Sequence, residues 1–312
     1  MARVFLHVGA HKTATSYLQG SFYANRKLLK SAGLCYPHIG PNNAHHALAG
    51  QWIKINDLPE NFYGPRGPEG IWNDLIEKYA DQPGTLFLSA ENFTRCFPEK
   101  VDWADLAARL SAFDEIKIVY TMRRQVELVP SVWSQITKVN YQPSIWSFMH
   151  TVIDERRAKG VPVDHNMVYE ELRQSFAPEQ IHLLDYSDFR HHPGGVVGVF
   201  LDLMGVDLPI ERMAPPSETE ANISPDALAL FVAGVVCDDN SQPPDPALTR
   251  YIETQLDEIV GPTRTLLARH EYARVSHRFQ HGNQSLVEKV QRYQPGFTFD
   301  EGAPARRTGV SR

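Results

Sequence analysis

Four short apolar runs, set between longer stretches with helical spacing, organise the first part of the chain. They cover residues 4–8 (VFLHV), 85–89 (TLFLS), 116–122 (IKIVYTM) and 181–184 (IHLL). Short apolar runs flanked by helical patterns read as parallel strands buried on both faces. The helical patterns fall at 15–32, 71–80, 101–113 and 126–139. This alternation predicts an α/β fold, a doubly wound parallel sheet whose ligand lies beyond the carboxyl ends of the strands. Residues 37–70 break the rhythm with Pro, Gly and Asn, as an insertion overhanging a binding site would. From Ser224 the pattern is helical to about residue 292, with Ser224 as N-cap and Pro225 at the first helical position. No internal repeat is visible, the tail at 301–312 reads as frayed, and residues 1–312 form one expected domain.

The exit of the first run carries the first candidate chemistry. Strand 4–8 turns at Gly9 into GAHKTATS, and a helical pattern begins near Thr15. Backbone amides in such a turn and the positive helix end favour an anion, and Lys12 adds a full charge. Thr13, Thr15 and Ser16 can donate hydroxyl hydrogen bonds to phosphate oxygens. The bland alternative is a plain strand–helix turn with an exposed lysine and a threonine cap. The ATPase spacing GxxxxGK(S/T) is not met, because no glycine stands immediately before Lys12.

A second feature follows the third run, in YTMRRQVELVPSVWSQ. Arg123 stands at the strand end and Ser131 eight residues on, inside the next helix. A guanidinium can grip a phosphate bidentately and a hydroxyl from the adjoining helix can share that anion.

Together these stretches resemble the bacterial sulfotransferases that use 3′-phosphoadenosine-5′-phosphosulfate (PAPS), a P-loop-like fold. HVGAHKTATSYLQ is similar to their 5′-phosphosulfate loop, HxGxxKTGTTxLQ, through His7, Gly9, Lys12, Thr13, Thr15, Leu18 and Gln19. Ala14 replaces the usual glycine and Ser16 a threonine. Arg123 and Ser131 stand at the spacing of the family's 3′-phosphate motif. The resemblance implies a donor site formed by Gly9, Ala10, His11, Lys12, Thr13, Ala14, Thr15 and Ser16 at one end, with Arg123 and Ser131 at the other. It implies PAPS as donor, adenosine 3′,5′-bisphosphate (PAP) as product, no metal, and a hydroxyl acceptor on a glycan, glycolipid or small metabolite. HHALA at 45–49, LSAENF at 88–93, GVFLDLMGV at 198–206, NISPDAL at 222–228 and GNQSLVEKVQRY at 282–293 are weaker echoes. The RKGxxGDWK loop of the cytosolic animal enzymes is absent.

Catalysis in that family draws on Lys12 at the leaving phosphate and on a His or Glu as base. Glu91, just beyond the TLFLS run, is the first candidate, and a helix-start carboxylate in a surface pair is its plain alternative. His46, in the insertion, is the rival, with simple packing of His45–His46 as its alternative. Asp185 could imitate the carboxylate of a nucleotide hydrolase, or be a solvated aspartate at a turn. Trp52, Trp72 and Tyr63 could stack on a sugar or fill a core. A P-loop kinase or NTPase, and a non-catalytic nucleotide-binding protein, are the competing functions.

Composition narrows this further. A net charge of −6 argues against general nucleic-acid binding. Cys35, Cys96 and Cys237 have no metal spacing and read as reduced thiols of a cytoplasmic protein. The opening apolar run is too short for a signal peptide, and no run is long enough for a transmembrane segment. The acceptor's identity and the oligomeric state are left open.

Overall fold

The computed structural model describes residues 1–138, 144–217, 225–237, 243–261 and 264–299. Its strands are β1 (Ala2–Gly9), β2 (Leu34–Cys35), β3 (Gly84–Ser89), β4 (Glu115–Met122), β5 (Arg157–Ala158), β6 (Val161–Pro162) and β7 (Ile181–Asp185). Its helices are α1 (Thr15–Ala24), α2 (Arg26–Ser31), α3 (His46–Ala49), α4 (Gly67–Tyr79), α5 (Trp103–Leu110) and α6 (Gln125–Thr137). They continue as α7 (Ile145–Glu155), α8 (His165–Leu172), α9 (Gly195–Met204), α10 (Ala227–Cys237), α11 (Pro246–Ile259) and α12 (Arg269–Val290).

Five strands form one parallel sheet in the order β2–β3–β1–β4–β7, and the four apolar runs are its β1, β3, β4 and β7. The runs are buried on both faces because helices cover both. Val4, Leu6 and Val8 of β1 face a core shared with Trp72 of α4, Leu106 of α5 and Leu286 of α12. Phe5 faces the opposite core, with Leu18 and Phe22 of α1, Leu29 of α2 and Phe200 of α9. A third cluster joins α6, α7, α10 and α12 beside the sheet.

Several boundaries differ from the sequence expectation. The helical pattern at 15–32 is two helices, because Asn25 breaks it. The Asn25 amide donates to Ser21 O and Ala214 O, while its Oδ1 accepts from Ala214 N–H, so the side chain competes with helix continuation. The sheet also gains β2 at its edge, two residues too short to announce itself as an apolar run. Ser224 and residues 301–312 lie outside the described residues. Asp226 accepts from Ala229 N–H at the start of α10. The insertion at 37–70 is anchored: Leu48 and Ala49 are buried, and Trp72 Nε1 donates to Leu48 O at 3.0 Å.

Candidate active site

Parallel strands put all their carboxyl ends at one edge. In the register His7 lies opposite Ser89, Gly9 opposite Tyr120 and Met122 opposite Asp185. The turns after β1, β3 and β4 therefore emerge side by side, and they carry Lys12, Glu91 and Arg123.

The turn after β1 is tightly wound. Gly9 has φ 115°, and a Cβ there would sit 3.2 Å from Thr94 Oγ1 and 3.3 Å from the Glu91 Cβ, so glycine is required twice over. Ala10 N–H donates to Thr121 O at 3.0 Å, and Thr13 Oγ1 donates to Ala10 O at 2.7 Å. The Thr13 hydroxyl thus closes the loop on itself and is buried, as is Thr15, while Ser16 is exposed. Lys12 and Ala14 both adopt left-handed backbone, at φ 64° and 62°. Ala14 is the N-cap of α1 and supplies no side-chain cap, and no acidic residue occupies the first turn. That leaves the amide end of α1 suited to an external anion.

Cations converge on this turn. Burial lowers the Lys12 pKa to about 8, with Arg123 and Lys138 repelling its charge and Glu91 opposing them. Arg123 Nη1 donates to Lys12 O at 2.6 Å and lies 3.4 Å from Ser131 Oγ. Its Nε faces Glu127 Oε2 at 3.4 Å, and its guanidinium carbon stands 4.7 Å from the Tyr186 ring centroid. Glu127 also pairs with Arg124. His165 steadies the strand end. Burial lowers it to about 4, so it is neutral at neutral pH; Nε2–H donates to Arg123 O and Nδ1 accepts from Tyr120 OH, each at 2.8 Å.

Glu91 opens a short 3₁₀ turn, Glu91–Thr94, packed on Gly9. Gln19 Nε2 donates to Glu91 Oε2 at 3.2 Å and to Ser89 Oγ at 3.1 Å. Burial pushes the Glu91 carboxyl upward, but His46, His11, its own backbone N–H and Gln19 favour the anion and hold it below the usual carboxylate range. Burial, with Arg95, His46 and Lys12, lowers His11 to about 4 against the pull of Glu91. His46 starts α3, and its Nδ1 and His11 Nε2 are shielded from solvent without a hydrogen-bond partner. His45 is structural. Its Nδ1 accepts from Ser89 N–H at 2.9 Å and its Nε2 donates to Pro37 O at 2.8 Å, tying the insertion to β3 and placing His46 beside Glu91.

Other candidates resolve into architecture. Asp185 accepts from Ser187 N–H at the end of β7. Trp72 is fully buried, Trp52 Nε1 donates to Asp105 Oδ2 at 2.8 Å, and Tyr63 OH donates to Ala47 O at 2.9 Å. Among the described residues no His, Cys, Asp or Glu side chains group in threes that could hold a metal ion. No described helix is long and apolar enough to cross a membrane. Sequence reasoning overlooked Lys138, Tyr186, His165 and Arg95, which share no motif with Lys12 and reach the site only through folding.

No family model matches this chain, and no curated protein matches it. Solved structures do. The chain is similar to the crystal structure of a sulfotransferase from Alicyclobacillus acidocaldarius, at 18% identity and TM-score 0.40, over 90% of this chain and 96% of that one. It is similar to mouse sulfotransferase SULT7A1 complexed with PAP, at 11% identity and TM-score 0.44, over 95% and 89%. It is also similar to the sulfotransferase domain from the curacin biosynthetic pathway, at 12% identity and TM-score 0.42, over 89% and 97%.

Proposed function

We propose that the protein is a PAPS-dependent sulfotransferase acting on a hydroxyl acceptor. One observation carries the reading: the Lys12 turn and the Arg123–Ser131 pair, read separately from sequence, meet at one sheet edge through Arg123 Nη1 and Lys12 O at 2.6 Å. A nucleotide phosphorylated at both ends needs two anion grips on one cleft. The residues fit that group. The α1 amide end has no acidic side chain, and Lys12, Arg123 and Lys138 supply the countercharge.

PAPS, when bound, supplies an activated sulfuryl group whose S–O bond to the 5′-phosphate breaks as the acceptor O–S bond forms. Lys12 and the turn amides sit where negative charge collects on the departing phosphate. Arg123 and Ser131 hold the 3′-phosphate, with Tyr186 against the guanidinium face. Glu91 takes the acceptor proton. Its carboxyl is held in the ionised form, and Gln19 fixes one of its oxygens. His46, beside it, is the alternative base.

The test is a thermal-shift comparison of PAP, ADP and ATP with Mg²⁺. PAP should raise the melting temperature more than ADP, because it alone fills the Arg123–Ser131 grip. Equal shifts for PAP and ADP would remove the reason for preferring a sulfotransferase to a kinase.

A further inference from the structure

A second concavity opens beside the Glu91 turn. It is a cleft of about 640 Å³, with Arg95, Phe97, Phe148, Arg157 and Lys159 in its walls. Arg95 is the residue at which the 3₁₀ turn begun by Glu91 ends, so one turn links cleft and candidate base. At roughly 2 Å of rise per residue, the two positions lie on the order of 8 Å apart along it.

Backbone contacts join the two segments that carry Arg95 and Lys159, both of which line this cleft. The hairpin of β5 and β6 turns at Lys159–Gly160, and Cys96 N–H donates to Gly160 O at 3.1 Å. A Cβ on Gly160 would lie 2.5 Å from Phe97 O and 3.3 Å from Arg95 Nη2, so only glycine lets the hairpin tip press against residues 95–97. The Arg95 guanidinium therefore lies along the tip beside Gly160, and Lys159 lines the same cleft. Arg157 is already neutralised by Glu155 at 3.0 Å and stacks on Phe97, its guanidinium carbon 3.8 Å from the ring centroid. Among the described residues neither Arg95 nor Lys159 is paired with a carboxylate, leaving the cleft about two positive charges in a chain of net charge −6.

Resting on the sulfotransferase reading, we propose that this cleft is the acceptor subsite and that the acceptor is an anionic ring compound. Its carboxylate is gripped by Arg95 and Lys159, its ring lies along Phe97 and Phe148, and its hydroxyl points toward Glu91. A hexuronic acid unit has this chemistry: a carboxylate and several hydroxyls on one ring. The volume suits one or two sugar rings, and charge-assisted bonds to a guanidinium give such a site its selectivity.

The test compares 4-nitrophenyl β-D-glucuronide with 4-nitrophenyl β-D-glucoside, which differ only in a carboxylate against a hydroxymethyl group. Binding of each to the full chain, followed by NMR titration with and without saturating PAP, does not require turnover. The glucuronide should bind at least about tenfold more tightly. The double variant R95Q/K159Q should lose that preference, and Lys159→Gln alone should leave PAP affinity unchanged. Should the double variant fold poorly, the single Lys159→Gln change at the exposed hairpin tip must still reduce the preference. Equal binding of the two probes by the wild type, no measurable glucuronide binding, or a preference surviving in the double variant overturns the proposal. A preserved preference without any PAP binding supports the anionic cleft and removes the donor reading instead.

Discussion

Ala14 offers the sharpest test of how the anion turn is built. It stands where the resembling family carries glycine, and its backbone is left-handed at φ 62°, ψ 23°. A side chain in that region costs about 1–2 kcal/mol relative to an ordinary conformation. As an N-cap, alanine also ranks well below glycine, by several tenths of a kcal/mol to about 1. Two effects oppose the change to glycine. The unfolded chain gains freedom, worth about 0.4–1 kcal/mol. The Ala14 methyl, packed at the rim of the core formed by α1 and α9, is lost, at up to about 0.8 kcal/mol if it were fully buried.

The balance favours glycine by about 0.5–1 kcal/mol, so Ala14→Gly should raise the melting temperature by roughly 1–3 °C. Ala14→Val should lower it, since a β-branched residue tolerates positive φ least. Differential scanning calorimetry on the three chains at one pH gives the order directly. A melting temperature for the glycine variant at or below that of the wild type would refute the strain argument. A valine variant as stable as the wild type would refute it equally.

Glu91→Gln keeps the shape of the proposed base and removes the proton acceptor, so sulfuryl transfer should fall about 10²–10⁴-fold with PAP affinity nearly unchanged. His46→Asn is the matched control, and a large loss there with full turnover in Glu91→Gln would move the base to His46. Acid should unfold the protein early. His7, His11, His45, His165 and His182 are each lowered to about 4, chiefly by burial, while unfolded histidines titrate near 6.5. Between those values the unfolded state binds protons that the folded state refuses, so stability is complete above about pH 6.5 and drains as pH falls toward 4. Melting temperature measured from pH 7.5 to 4.5 should decline steadily, and a flat profile would contradict the burial argument.

The sheet was legible because its strands are continuous apolar runs, and burial on both faces leaves no other reading for them. Leu34–Cys35 was not, since a two-residue edge strand takes its identity from Thr85 and Leu86 opposite it. The break at Asn25 depends on Ala214, which lies 189 residues away. The turn after β1 was readable from local spacing, as Gly9, Lys12 and the hydroxyls all fall within residues 9–16. That Thr13 Oγ1 donates to Ala10 O and closes the turn is revealed only by the folded path of the chain.

What sequence spacing lacked was the pairing order. β1 lies between β3 and β4, so the turn that carries Glu91 and the strand end that carries Arg123 flank the Lys12 turn from opposite sides. From this follows the requirement at Gly9. Its hydrogen is the surface on which the Glu91 turn rests, with the Glu91 Cβ within 3.3 Å of where a methyl would be. Any side chain at that position would push the Glu91 turn and the Lys12 turn apart. The same reasoning applies at Gly160, where a missing side chain lets the hairpin tip press against Phe97 O and the Arg95 guanidinium. Two glycines thus set close approaches beside charged groups, one under the Glu91 turn and one at the tip of the β5–β6 hairpin. Neither glycine carries chemistry of its own: Gly9 stands out in the sequence through its turn, whereas Gly160 lies in no motif and shows its role only in the fold.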